Sequence, residues 1–239
     1  GAAAIRAARS RGGQIATLIL PANTAWEAGA DPETATAPPP LHRPDAARLD
    51  AAAAALCQRG AAFLVSGPAL YGAGRVLASK IAQTAGCRLI APLFAPRLER
   101  GAGSLPIEQL VYVIEANQQM LAGLTHIICC GAEPPVNFFA YPGKTSTPEP
   151  PDCLISQLCD PGMDVIYCLE ELADRLDAHG ADVAPVALDL PDMPKGPMTA
   201  ASAGAVIARG MPEDAIVVNE SVTSGAPIYA ATGAAAKHD

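Results

Sequence analysis

Apolar residues occur along this chain in short continuous runs and in longer runs at helical spacing. The clearest continuous run is Ala61–Val65, which carries no charge and is typical of a strand covered on both faces of a sheet. A glycine-rich turn follows it, and from Val76 onward the apolar residues recur at helical spacing. The stretch therefore predicts a strand, a tight turn and a helix in that order.

The same alternation repeats through the middle of the chain. From Asp45 to Ala178 the pattern predicts helix, strand, helix, strand, helix, strand, strand and helix, with the third helix spanning 107–121. The predicted strands are Ala61–Val65, Cys87–Ala91, His126–Cys130 and Leu154–Leu158. We therefore predict an α/β fold, a Rossmann-like parallel sheet flanked by helices and joined by right-handed crossovers.

Two proline-rich stretches, 27–44 and 179–197, have the composition of linkers and frame this α/β region. Each flanking segment carries one predicted strand, Ile15–Leu20 on one side and Ala215–Val218 on the other. Thr199 is predicted to cap a helix in the second segment. We expect partial α/β segments at both ends, so that the predicted domains are residues 1–40, 41–190 and 191–239.

Composition excludes several classes of protein. The net charge is −8 and no basic patch is visible, which argues against a nucleic-acid partner. No window resembles a membrane span, and the seven cysteines, odd in number and without a C-x-x-C pair, suit reduced thiols in a cytoplasmic protein. His126 and Cys129 have metal-like spacing, but their side chains would point to opposite faces of a strand, so we predict no metal site there.

The turn Ser66–Gly74 has two open interpretations. In a doubly wound sheet it lies where the phosphate of a nucleotide would meet free backbone N–H groups. However, its glycines match neither the P-loop pattern nor G-x-G-x-x-G, and a crossover without a ligand is at least as consistent with them.

Several stretches in order along the chain resemble the thiamine diphosphate-dependent enzymes of the acetolactate synthase and benzoylformate decarboxylase group. Thr17–Asn23 is similar to the closing strand of their pyrimidine-binding domain, and 41–190 to their central domain. Phe138–Lys144 and Arg97–Gly101 are similar to a branch called acetolactate synthase large-subunit-like. Val217–Ser221 is similar to the opening of the diphosphate-binding domain.

The resemblance implies a cofactor site at the end of the chain. In the family, the turn after that opening strand touches the cofactor diphosphate, and here it corresponds to Glu220, Ser221, Thr223 and Ser224. Hydroxyl and turn N–H groups suit phosphate oxygens. The alternative reading of these residues is an ordinary helix cap without a ligand.

The resemblance also implies that the catalytic parts lie elsewhere. The family uses a glutamate early in the pyrimidine domain to activate the cofactor. It also uses a Gly-Asp-Gly…Asn-Asn stretch to bind magnesium, and this sequence contains neither Gly-Asp-Gly nor Asn-Asn. Flavin-binding relatives carry a basic turn where this chain has Glu133, so FAD is not expected.

We therefore expect a fragment of a lyase or transferase that acts on 2-oxo acids. The fragment is expected to be inactive alone, and its full-length parent is expected to use thiamine diphosphate and magnesium as a homodimer or homotetramer. The alternative function is a free-standing Rossmann-like nucleotide-binding or interaction module.

Overall fold

The structure is a computed structural model, and it describes residues 1–29, 31–221 and 224–239. The helices are α1 (Ala2–Arg9), α2 (Ala22–Trp26), α3 (Ala46–Leu56), α4 (Gly72–Ala85), α5 (Ile114–Leu121), α6 (Val165–Leu176), α7 (Ala200–Gly210) and α8 (Gly225–Thr232). The strands are β1 (Ala61–Val65), β2 (Arg88–Ala91), β3 (Glu108–Gln109), β4 (His126–Cys130) and β5 (Leu154–Cys159).

The strands form one sheet in the order β3-β2-β1-β4-β5, with every neighbouring pair parallel. β1 is central, and Phe63 lies opposite Leu89 on one side and Ile128 on the other. The chain leaves β1 toward β2 first and later crosses to β4, so the strand order reverses between β1 and β4. The predicted α/β class with a parallel sheet is confirmed.

Both faces of β1 are buried, as its uncharged sequence predicts. Phe63 and Val65 face the layer built by α3, α4 and α6, whereas Ala62 and Leu64 face the layer that includes the end of α5. Because alternate residues of a strand point to opposite faces, a strand covered on both sides has no position for a polar residue.

The helix starts follow from local sequence. The Asp45 carboxylate accepts a hydrogen bond from the Arg48 N–H (2.8 Å) at the start of α3. Thr199 and Ser202 form a reciprocal capping box at the start of α7. The cap predicted at Thr199 is therefore confirmed, and Asp45 caps α3 by a local contact of the same kind.

The two outer strands that we predicted are not present as strands. Ile15–Leu20 is extended but unpaired, and the side chain of Ile15 is 96% exposed. Ala215–Val218 lies beside the last residues of the chain: the Asp239 N–H donates to the Ala215 carbonyl (3.0 Å) and the Val217 N–H donates to the Asp239 carbonyl (2.9 Å). This pairing amounts to an isolated bridge from Ala215 to His238 and not to a strand. An apolar run becomes a strand only when another backbone supplies its hydrogen bonds. Among the described residues, none supplies them to Ile15–Leu20, and the three residues 237–239 supply too few to extend a strand along Ala215–Val218.

The predicted helix over 107–121 is also shorter than its apolar pattern suggests. Glu108–Gln109 adds a short edge strand beside β2, and the helix begins only at Ile114. The pattern did not predict α2 or α8. Among the described residues, none of the helices has the length and apolar character that a membrane crossing requires.

Candidate functional site

The glycine-rich turn after β1 brings the chain sharply back onto the sheet. Gly67 and Gly72 adopt left-handed backbone angles (φ +61° and +53°), which glycine tolerates best. Gly74 lies in the first turn of α4, where an added Cβ would collide with the carbonyl oxygen of Pro68 and lie 2.9 Å from Ile166 Cδ1. The turn therefore needs glycine for both conformation and space.

The start of α4 already has an anion, supplied by the protein itself. The Gly72 N–H donates to a carboxylate oxygen of Glu99 (2.9 Å), and Lys237 forms an ion pair with the other oxygen (2.8 Å). Burial opposes ionisation of Glu99, but the Lys237 and Gly72 contacts outweigh it and lower the pKa of this carboxyl. Of the two interpretations of this turn, the structure favours the crossover without a bound phosphate.

A cleft of about 340 Å³ lies beside this turn, between the β2–β3 connection and α8. Arg75 at its wall is 2% exposed and donates from Nη2 to the Leu105 carbonyl, but its Nε and Nη1 have no hydrogen-bond partner among the described residues. Burial lowers the pKa of Arg75 to about 10, although the nearby Glu99 charge opposes this shift. Arg75 therefore places a buried positive charge, with two N–H groups unpaired within the described part of the chain, behind the wall of the cleft and next to the Glu99 carboxylate.

A second arginine joins the cleft to the end of the chain. The Arg100 guanidinium lies 3.3 Å from the centre of the Tyr229 ring and donates to the Tyr229 carbonyl (2.7 Å) and to Thr232 Oγ1 (3.2 Å). The Tyr229 hydroxyl donates to Gln109 Oε1. These contacts fix α8 against the carboxyl end of the sheet.

The Arg97–Gly101 motif holds the last residues of the chain. Arg100 exchanges two backbone hydrogen bonds with His238 (2.8 and 3.0 Å), and Arg97 forms an ion pair with Asp239 (2.7 Å). Gly101 has φ +86°, and an added Cβ there would collide with the Ala236 carbonyl oxygen. This motif therefore has a structural role at the C-terminal segment.

The predicted cofactor turn leads directly into α8. Asn219 Oδ1 accepts from the Ser221 N–H (3.1 Å), and a Cβ on Gly225 would lie 3.0 Å from Ser221 Cβ. Ser224 occupies the N-cap position of α8, yet its hydroxyl makes no capping hydrogen bond. Ser221 and Ser224 therefore lie together, exposed, at the helix start. Glu220 is also exposed, and Thr223 lies outside the described residues.

No protein-family model matches the chain. The Mycobacterium tuberculosis protein IlvX, provisionally named an acetolactate synthase large subunit, is 41% identical over 243 residues, which cover 99% of this chain and 45% of IlvX. The chain is thus similar along almost its whole length to a protein named as an acetolactate synthase large subunit. It spans about half the length of the curated relative that it matches.

Solved structures of such enzymes share the fold. A thiamine diphosphate-dependent 4-hydroxybenzoylformate decarboxylase from Rhodococcus jostii RHA1 matches with a TM-score of 0.57 and 16% identity, over 84% of this chain and 43% of its own. A provisionally named thiamin diphosphate-dependent enzyme from Mycobacterium smegmatis matches with a TM-score of 0.58 and 17% identity. This match covers 88% of the present chain and 44% of the M. smegmatis enzyme. At these identities the likeness establishes the fold alone.

The crossing point between β1 and β4 is where relatives of this fold class place ligands. Here Gly131 follows β4 with φ +69°, and an added Cβ would lie 2.7 Å from Val165 Cγ2 and 3.0 Å from the Ser66 carbonyl oxygen. Gln157 closes the same corner by donating to the Ala132 carbonyl (2.9 Å). The backbone at this point is therefore packed against its neighbours.

The second family-like motif, Phe138–Lys144, forms an exposed aromatic cluster. The rings of Phe138 and Phe139 lie 4.5 Å apart, and Phe94, Tyr112 and Tyr141 extend the cluster. Phe94 is 65% exposed and the others are about half exposed. Contiguous exposed aromatic residues mark a surface for contact with another macromolecule or domain.

The His/Cys pair that stands out in the sequence is not a metal-like site, whereas the fold brings together three cysteines that are distant in the sequence. His126 hydrogen-bonds Ser156 Oγ (2.8 Å), away from any metal-like arrangement. By contrast, Cys130, Cys159 and Cys168 come together in the core. No spacing along the chain reveals this cluster, because each cysteine belongs to a different element.

Proposed function

We propose that this chain forms part of a thiamine diphosphate-dependent enzyme that decarboxylates or joins 2-oxo acids. The observation that carries the proposal is the 41% identity to an acetolactate synthase-named relative across 99% of the chain. In this proposal, residues 1–40 end the pyrimidine-binding domain, 41–190 form the central domain and 191–239 begin the diphosphate-binding domain.

The turn before α8 is the part of this chain that we assign to the cofactor. The hydroxyls of Ser221 and Ser224, together with the first N–H groups of α8, suit the oxygens of a diphosphate, and Ser224 is uncommitted as a cap. Glu220 and Thr223 join this assignment by resemblance. When bound, thiamine diphosphate supplies an electron sink for the carbanion left by decarboxylation, and this turn would position it.

Among the described residues, no cluster of three or more side chains offers magnesium a set of oxygen ligands. Mg²⁺ needs oxygen ligands in octahedral geometry. The group of three or more metal-capable side chains found among residues 1–29, 31–221 and 224–239 consists of cysteines. We propose that the 239-residue chain alone has no decarboxylase activity.

Three further features belong to this proposal. The tight packing at Gly131 and the acidic Glu133 support a central domain without FAD. The aromatic cluster around Phe138 supports association of the full-length enzyme as a homodimer or homotetramer. All seven cysteines are free, which supports a reducing, cytoplasmic location.

Calorimetric titration with thiamine diphosphate and Mg²⁺ tests the cofactor assignment. The full-length enzyme should bind the cofactor and decarboxylate pyruvate or benzoylformate. Replacing both serines, Ser221→Ala with Ser224→Ala, should weaken cofactor binding at least about tenfold, because each hydroxyl bonds a charged phosphate. Ser146→Ala, which alters an exposed serine in the 132–149 loop, is the matched control.

Two results would contradict the proposal. Unchanged cofactor affinity in the double serine variant would show that the turn before α8 does not bind the cofactor. Micromolar cofactor binding by the 239-residue chain would show that its site is complete without further residues.

A further inference from the structure

Three buried cysteines meet at the carboxyl edge of the sheet. The Sγ atoms of Cys130, Cys159 and Cys168 all lie within 4.8 Å of one another. Each residue is fully buried, and none forms a disulfide. These residues are far from the turn that we assign to thiamine diphosphate in the sequence, and the proposed function does not use them.

The backbone fixes the positions of all three. Cys130 ends β4 and pairs directly with Cys159 at the end of β5, just after a shift in strand register. The Gly131 N–H donates to the Cys159 carbonyl (2.7 Å), which locks the two strand ends together. Cys168 lies in α6, whose start is fixed by its Asp164 cap. A triangle of ligands held by rigid elements loses little entropy when it binds an ion.

The surroundings select the kind of ion. The cluster belongs to the same apolar layer as Leu158, Leu169 and Leu172. Among the described residues, no fourth His, Cys, Asp or Glu joins the group. Magnesium and calcium need oxygen ligands, and structural zinc takes four ligands. None of these three ions therefore matches three sulfurs in an apolar pocket. Soft ions such as Cu(I) prefer thiolate ligands.

We propose that Cys130, Cys159 and Cys168 form a three-sulfur site for a soft, thiophilic metal ion, with Cu(I) as the probe ion. Binding forms metal–sulfur bonds, and each sulfur that binds as thiolate releases its proton to solvent, so no electrons are transferred. With a metal–sulfur bond of about 2.3 Å, sulfurs at the corners of a planar triangle lie about 4 Å apart. The upper limit of 4.8 Å on the separations in the cluster is compatible with this geometry.

The chain offers a matched control for each replaced cysteine. Cys129 is the neighbour of Cys130 on β4 and is equally buried, but it faces the opposite layer of the core. Cys129→Ala should therefore disturb packing to a similar degree without touching the cluster. The cluster variants are Cys130→Ala, Cys159→Ala and Cys168→Ala, with serine versions as a second series.

The test is an anaerobic titration of the reduced protein with Cu(I) in competition with the chromogenic chelator bicinchoninate. The unsubstituted protein and Cys129→Ala should each retain one Cu(I) per chain in competition with the chelator. Each cluster variant that keeps the circular dichroism spectrum of the folded protein should bind Cu(I) at least a hundredfold more weakly. Equal retention of Cu(I) by the folded cluster variants would overturn the proposal and leave the cysteines as packing residues only.

A second measurement keeps the test decisive if the cluster variants do not fold. X-ray absorption spectroscopy of the parent protein with one equivalent of Cu(I) should show a first shell of three sulfur atoms. A shell of two sulfurs, or one of nitrogen and oxygen, would overturn the proposal. A Cys130–Cys159 disulfide that persists in the reduced protein, detected by mass spectrometry, would also overturn the proposal.

Discussion

Gly74 offers a sharp test of how α4 packs on the turn that follows β1. It lies within α4 and is not among the glycines with positive φ, so replacement by alanine should by itself stabilise the helix by about 0.5–1 kcal/mol. The position has no room for the added carbon, however. A Cβ there would collide with the Pro68 carbonyl oxygen and lie 2.9 Å from both the Pro68 carbonyl carbon and Ile166 Cδ1.

The size of the effect depends on what can move. Ile166 can change its rotamer, but the Pro68 carbonyl belongs to the 3-10 turn Gly67–Leu70 and cannot rotate away. Overpacking of this kind costs about 1–3 kcal/mol, and a backbone obstacle places Gly74→Ala at the upper end. After subtracting the gain in helix propensity, we expect a net loss of about 2 kcal/mol, or about 4–8 °C in Tm for a chain of this size.

Urea and thermal unfolding followed by circular dichroism would measure this loss. Gly210→Ala is the matched control, because Gly210 is also a helical glycine but has nothing within 4 Å of an added Cβ. That variant should be as stable as the parent or slightly more stable. If Gly74→Ala were also as stable as the parent, the close contact between α4 and the turn would be refuted.

Three other outcomes are expected. Val65→Asp should cost more than about 3 kcal/mol because it places an unpaired charge in the fully buried central strand, whereas Val136→Asp at an exposed site should change urea stability by less than about 0.5 kcal/mol. Glu99→Gln should lower stability at neutral pH. Because the folded-state pKa of Glu99 is depressed, its contribution is present above the ordinary carboxyl pKa and lost as pH falls through the folded value, so the difference should disappear in acid. An equal difference at neutral and acidic pH would contradict this. The purified protein should be colourless, and flavin absorbance would refute the absence of FAD.

The amino-acid sequence by itself determined the central sheet and the helix caps. Ala61–Val65 is apolar at every position, and only a strand covered on both faces is apolar without alternation. The caps at Asp45 and Thr199 depend on side chains that bond the backbone three residues away, so they are local as well. The resemblance to acetolactate synthase-like enzymes was also recognisable from the ordered stretches along the chain.

Partners distant in the sequence decided the rest, and only the tertiary structure supplies them. Ile15–Leu20 is also a largely apolar run, but it forms no strand because no backbone hydrogen bond among the described residues reaches it. The Glu99 carboxylate meets the Gly72 N–H, and Cys130 meets Cys159, only after the crossovers have placed neighbouring strand ends at one edge of the sheet. A local pattern records which face of an element is apolar, whereas the contact between two elements depends on the sheet order, which no short stretch of the chain contains.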